Sequence, residues 1–170
     1  MKRLSIVLGL LMLSGIAIAD VAEKTVKLPG GLGKGVLFMD EDLDRTTAGV
    51  IVVHEWWGLN DYARNRARLL AEEGYVALAV DMYGDGQVAS HPKDAKAFME
   101  QALSEPEKLT ARFNAAKTIL RDQQYVDDER IFAVGYCFGG GVVLEQARKG
   151  NDLAGVASFH GTLATQNPAG

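Results

Sequence analysis

Cysteine is almost absent: Cys137 is the only one in 170 residues. No disulfide can therefore close within the chain, and no cysteine cluster can hold a structural metal. Proline and histidine are scarce, at four and three residues, so any chemistry that needs an imidazole has few candidates. Positive charge is nowhere concentrated and the formal net charge is −4, a balance that disfavours nucleic acid as a partner. The one long hydrophobic run, Leu4 to Ile18, follows Lys2 and Arg3, contains Ser14 and Gly15, and leads into Ala17-Ile18-Ala19. It is short for a membrane span and has the form of a secretory signal peptide over residues 1–19. The expectation is cleavage after Ala19, a periplasmic or secreted location, and no stable membrane insertion afterwards.

Hydrophobic residues make up 48% and charged residues 24%, the proportions of a globular domain with a real core, which we place over residues 20–170. Val21–Val26 and Val36–Met39 read as two short strands around the turn "LPGGLGKG". That turn is no phosphate cradle, because Gly33-Lys34 is followed by Gly35 and not by Ser or Thr. "DEDLD", Asp40 to Asp44, alternates carboxylates, but a calcium loop started there would need Gly at Arg45 and Glu at Ile51. A solvated acidic turn is expected, with no metal site.

Downstream the pattern is regular. "AGVIVVHE" is a β-branched run suited to a strand buried on both faces, followed by a helix from Asp61 to Glu73 that sets Ala63, Ala67 and Leu70 on one side and ends at Gly74. "YVALAVD" is the next strand. Helices marked by Ala95, Phe98, Met99 and Ala102, then by Leu109, Phe113, Ala116 and Leu120, flank Pro106. "RIFAVGY", "GGGVVLEQARKG" and "LAGVASFH" supply strand, helix and strand. This alternation predicts a doubly wound, mostly parallel α/β sheet.

Cys137 falls between the strand ending near Gly135 and the helix beginning near Gly139. Gly135-x-Cys137-x-Gly139 has the spacing of a nucleophile elbow, whose small flanking residues let a strained turn lift the nucleophile above the sheet. The positive N-terminal end of the following helix favours the thiolate. A lone cysteine can also be a small core filler, but the flanking glycines, strand and helix favour the nucleophile. "HEWWGLND", His54 to Asp61, follows an earlier parallel strand and so rises from the same edge. Its position nominates the backbone N–H of Trp56, with that of Phe138, as the two donors of an oxyanion hole. Trp57 and Tyr83 are candidate walls of a substrate pocket, His54 is expected to orient the loop, and Arg64, Arg66 and Arg68 read as a solvated helix face.

"HEWWGLNDYARNRARLLAEEGYVALAVDMYGDG", "GYCFGG" and "SFHGTL" resemble the dienelactone hydrolase family of the α/β-hydrolase fold. The resemblance implies that Cys137 is the nucleophile of a Cys-His-Asp triad and that Glu55 contacts the cysteine and helps to generate its thiolate. It implies small-molecule ester or lactone substrates and no metal or organic cofactor. His160 matches a family histidine that is not the catalytic one, and the family's acid and base belong to segments after "TQNPAG". The chain therefore reads as an α/β-hydrolase fold incomplete at the C-terminus, with poor turnover by itself. An arginine that holds a substrate carboxylate in part of the family is replaced here by Gly84 and Asp85, which makes a carboxylated lactone a doubtful substrate. The competing reading, prompted by the missing acid and base, is a non-catalytic binding module on a hydrolase scaffold.

Overall fold

A computed structural model describes residues 20–165. The expected signal peptide, residues 1–19, lies outside the described residues. In chain order the elements are β1 (Val21–Leu28), β2 (Gly33–Asp40), β3 (Thr47–Val53), α1 (Asp61–Glu72), β4 (Val76–Val80), α2 (Pro92–Leu103), α3 (Pro106–Arg121), β5 (Val126–Tyr136), α4 (Phe138–Arg148) and β6 (Gly155–Phe159).

The strands form one sheet in the order β1-β2-β4-β3-β5-β6. β1 and β2 are an antiparallel hairpin closed by the Pro29–Gly31 turn, and β2 runs antiparallel to β4. From β4 onward the sheet is parallel. This is the doubly wound, mostly parallel α/β sheet expected from the alternation of elements.

Period-two alternation decides which helix each strand meets. Ile51 and Val53 of β3 join Leu78, Leu109, Phe113, Leu120 and Val142 in the larger core, under α3 and α4. Val50 and Val52 join Phe38, Ala67, Ala71, Ala77 and Ala79 on the α1 side. With both faces covered, β3 from Ala48 onward and all of β4 present no polar residue, which is why these stretches are continuous apolar runs. Each large side chain buried there contributes about 1.5–3 kcal/mol.

α1 is short-sided, packing through Ala63, Ala67 and Ala71 while Leu70 is only half-buried. Asn60 Oδ1 caps its start by accepting from Ala63 N–H at 3.1 Å. Its end is a Schellman turn: Gly74 at φ 85° allows Gly74 N–H to reach Ala71 O and Tyr75 N–H to reach Leu70 O. The arginines of α1 depart from the solvated face expected for them. Arg64 and Arg68 both grip Glu23 of β1, and Arg66 donates to the Tyr136 hydroxyl at 2.9 Å with its guanidinium over that ring. They tie α1 across the sheet, an engagement that the i, i+2, i+4 spacing alone could not reveal.

β5 starts at Val126, earlier than "RIFAVGY" suggested. The register against β3 jumps from Ala48↔Asp127 to Gly49↔Ile131, so residues 128–130 bulge out exposed before the strand enters the core. Among the described strands β6 comes last in the order, and its Phe159 is half-exposed.

The chain reverses direction of growth at β3: β4 is added on one side and β5 on the other. The loops leaving the C-terminal ends of β3 and β5 therefore diverge, and a crevice opens between them at this switch point.

Candidate active site

Val53 and Gly135 are register partners at the ends of β3 and β5. Immediately beyond them stand His54 to Trp57 on one side and Tyr136 to Phe138 on the other. Cys137 holds φ 53°, ψ −114°, a conformation that costs a residue with a Cβ roughly 1–3 kcal/mol. It is half-buried, directly ahead of the first residue of α4.

The elbow is possible only because its flanks lack side chains. A Cβ at Gly135 would overlap the carbonyl of Gly139, and one at Gly139 would meet the carbonyl oxygens of Val53 and His54. The turn is pinned from two directions: Cys137 N–H donates to Phe159 O at 2.9 Å and Gly139 N–H to His54 O at 3.1 Å. Phe138, at the first position of α4, has an N–H that the helical ladder does not use.

Across the crevice, His54 is fully buried. Its Nδ1 lies 2.5 Å from Glu55 O and its Nε2 accepts from Met82 N–H at 3.1 Å. Burial pushes the imidazole below its ordinary pKa, opposed by the hydrogen bond to Glu55 O and by the negative charge of Asp81. The ring is therefore neutral and both nitrogens are occupied, which removes His54 as a general base. No hydrogen bond joins Trp56 N–H to another of the described residues, while Trp56 O accepts from the Tyr83 hydroxyl at 2.8 Å.

Tyr83 is buried, its ring edge-on to His54 at 4.8 Å and 5.5 Å from the Phe138 ring. Burial raises the Tyr83 phenol well above its usual value, and the electrostatic influence of neighbouring Cys137 and Asp81 raises it further. The hydroxyl is thus a fixed donor to the β3 loop, and the ring forms a wall of the crevice beside Cys137. Trp57 packs edge-on to Trp56 at 5.2 Å, and its carbonyl accepts from Ala89 N–H at 2.9 Å. The Glu55 carboxylate pairs with Nε2 of His160, at 3.5 Å. His160 itself turns out of β6 at φ 45° and is exposed.

Two residues with structural authority over the site were not singled out from sequence. Asp81, fully buried at the end of β4, accepts N–H bonds from Tyr83 at 2.9 Å, Gly84 at 3.1 Å and Gly86 at 2.9 Å, folding the Tyr83 loop around one carboxylate. Arg112 of α3 is buried and donates to Leu32 O and Met82 O at 2.9 and 2.8 Å. The signal for the first was a carboxylate followed by two nearby glycines. For the second it was a charge in register with Leu109, Phe113 and Ala116.

Two hollows open elsewhere among the described residues. One of about 590 Å³ is walled by Met99, Leu103, Leu109, Phe138, Val142 and Thr162. Another, also about 590 Å³, runs over the α1 face of β5 and β6. Cys137, Trp57 and Tyr83 line neither, so the first adjoins the elbow only through Phe138.

The sequence profile of the dienelactone hydrolase family matches residues 34–169. The chain belongs to that family. It is 36% identical over 109 residues to protein usf of Aquifex pyrophilus, covering 62% of this chain and 47% of that one. It is 34% identical over 107 residues to a protein of Aquifex aeolicus named as a carboxymethylenebutenolidase, covering 59% and 45%. Among solved structures, m3DLH superposes with a TM-score of 0.80 at 37% identity, covering 87% of this chain and 62% of that one. A dienelactone hydrolase-like promiscuous phosphotriesterase from metagenomic libraries gives 0.76 at 36% identity, covering 83% and 59%. The chain spans about half the length of these curated relatives.

Proposed function

We propose that this dienelactone hydrolase family member cleaves a carboxylic ester or lactone through a Cys137 thioester. The observation that carries the reading is the strained Cys137 turn at the switch point between β3 and β5, with α4 starting at the next residue. The thiolate sulfur attacks the carbonyl carbon, and the carbonyl π pair moves onto oxygen. The N–H groups of Phe138 and Trp56 receive that oxyanion. Its collapse breaks the bond to the leaving alkoxide and leaves an acyl-cysteine, which water then hydrolyses.

Glu55, now on His160, is the carboxylate that exchanges to the Cys137 thiol and takes its proton when substrate enters. Trp57 and the Tyr83 ring form the pocket wall. Gly84 and Asp85 offer no cation for a substrate carboxylate, and a neutral ester or lactone fits better. The basic start and apolar run of residues 1–19 support export. Among the described residues no helix is long and apolar enough to cross a membrane.

The test is a panel of p-nitrophenyl esters and aliphatic lactones offered to the wild-type protein and to Cys137→Ala. Nitrophenolate release that disappears in the variant supports the reading; equal release from both overturns it.

A further inference from the structure

We propose that His54 is a positioning residue that sets the spacing of the two oxyanion-hole donors. The proposal rests on the thiol-hydrolase reading above. Three successive carbonyls after β3 are each tied down. His54 O accepts from Gly139 N–H at 3.1 Å, which binds the start of α4 and hence Phe138 to this loop. Glu55 O lies 2.5 Å from His54 Nδ1 and 3.3 Å from Gly58 N, and both donate to it. Trp56 O accepts from the Tyr83 hydroxyl at 2.8 Å.

The middle carbonyl matters most, because Glu55 C=O and Trp56 N–H belong to one peptide. That peptide is trans, so its C=O and N–H point in opposite directions. Holding the carbonyl toward the buried imidazole aims the Trp56 N–H away from it, into the crevice. Hydrogen bonds accepted by the carbonyl also polarise the same peptide and strengthen its N–H as a donor. The tautomer is not free: Met82 N–H can only donate, so Nε2 must accept, and the proton sits on Nδ1, where the Glu55 carbonyl needs it. Stacking of the His54 ring on Phe138, 5.8 Å between centroids, fixes the same two elements a second time.

Two thiol reactions separate this role from simple structural support. Acetylation of Cys137 by p-nitrophenyl acetate passes through an oxyanion: a C–S bond forms, then the C–O bond breaks and p-nitrophenolate departs with the electron pair. Alkylation by iodoacetamide displaces iodide at a saturated carbon and forms none. The ratio of the two rates therefore reports on the oxyanion hole alone.

His54→Ala is expected to lower acetylation about 100-fold, the scale of losing one such donor, with alkylation unchanged. His54→Asn, whose amide N–H can take the place of Nδ1–H, recovers most of that loss. Equal falls in both reactions, an Asn variant no better than Ala, or an unaltered ratio overturns the proposal. If the wild-type ratio matches that of free cysteine, the hydrolase reading itself fails. If the wild-type ratio is raised and the variants keep it, only the role of His54 fails. Should His54→Ala not fold, the wild-type ¹⁵N imidazole spectrum still decides: neutral, Nδ1-protonated His54 is required, and an Nε2-protonated ring or an imidazolium overturns the proposal.

Discussion

Gly139 N–H donates to His54 O at 3.1 Å, so the first turn of α4 and the end of β3 move as one body. The approach is close enough that a Cβ on Gly139 would meet His54 O at 2.6 Å. Gly139→Ala must push the two apart, and Gly135→Ala must push α4 away from β5. Each is expected to cost about 1–3 kcal/mol or more, as overpacking does, read as a lower urea midpoint at unchanged slope.

The backbone at Cys137 favours a residue without a Cβ. Cys137→Gly is expected to be more stable than Cys137→Ala by about 1 kcal/mol, the lower end of the strain such a conformation stores. Both remove the sulfur, so the comparison isolates backbone strain. Equal melting temperatures would show that the turn is not strained.

Asp81 serves three backbone donors with one carboxylate. Asp81→Asn turns one acceptor oxygen into a donor and weakens the charge-assisted bonds, each of which contributes about 1.5–3 kcal/mol. Faster amide exchange at Gly84 and Gly86 is the expected signature, together with loss of acetylation as Tyr83 loosens its hold on Trp56.

Burial lowers the His54 pKa in the folded protein, while the unfolded chain protonates near the ordinary value of about 6.5. Between those two values the unfolded state binds more protons, so stability falls as the pH falls. The contribution of neutral His54 is complete above about pH 6.5 and is lost progressively below it, at up to about 1.4 kcal/mol per pH unit. Tyr83 packs edge-on to the ring, and the nearby Asp81 charge opposes the shift. Urea melts of wild type and His54→Asn from pH 7.5 to 5 measure the difference. Parallel pH profiles would contradict a neutral buried imidazole.

The strands were legible because β3, β4 and β5 are buried on both faces, and that burial forces continuous apolar runs such as "VIVV" and "VALAV". The elbow was legible because its glycines answer to a local steric demand. Less could be read where partners are distant in sequence. Nothing near Arg112 announces the carbonyl of Leu32, and nothing near Arg66 announces the hydroxyl of Tyr136. The insertion of β2 beside β4, and the Glu55–His160 pair, likewise depend on how the whole sheet is ordered. Expectations for Cys137, Phe138 and Trp56 concerned position at a strand end, and the parallel register brings those positions together; Glu55 concerned a contact, and the contact found is with His160.

The most direct test is peptide mapping by mass spectrometry after brief exposure to p-nitrophenyl acetate, with the native protein set beside the same protein in urea. The account predicts a single acetyl group on the Cys137 peptide, formed at least about 100-fold faster in the native state. Acetylation at the same rate in both states, or on lysines in place of Cys137, would contradict it.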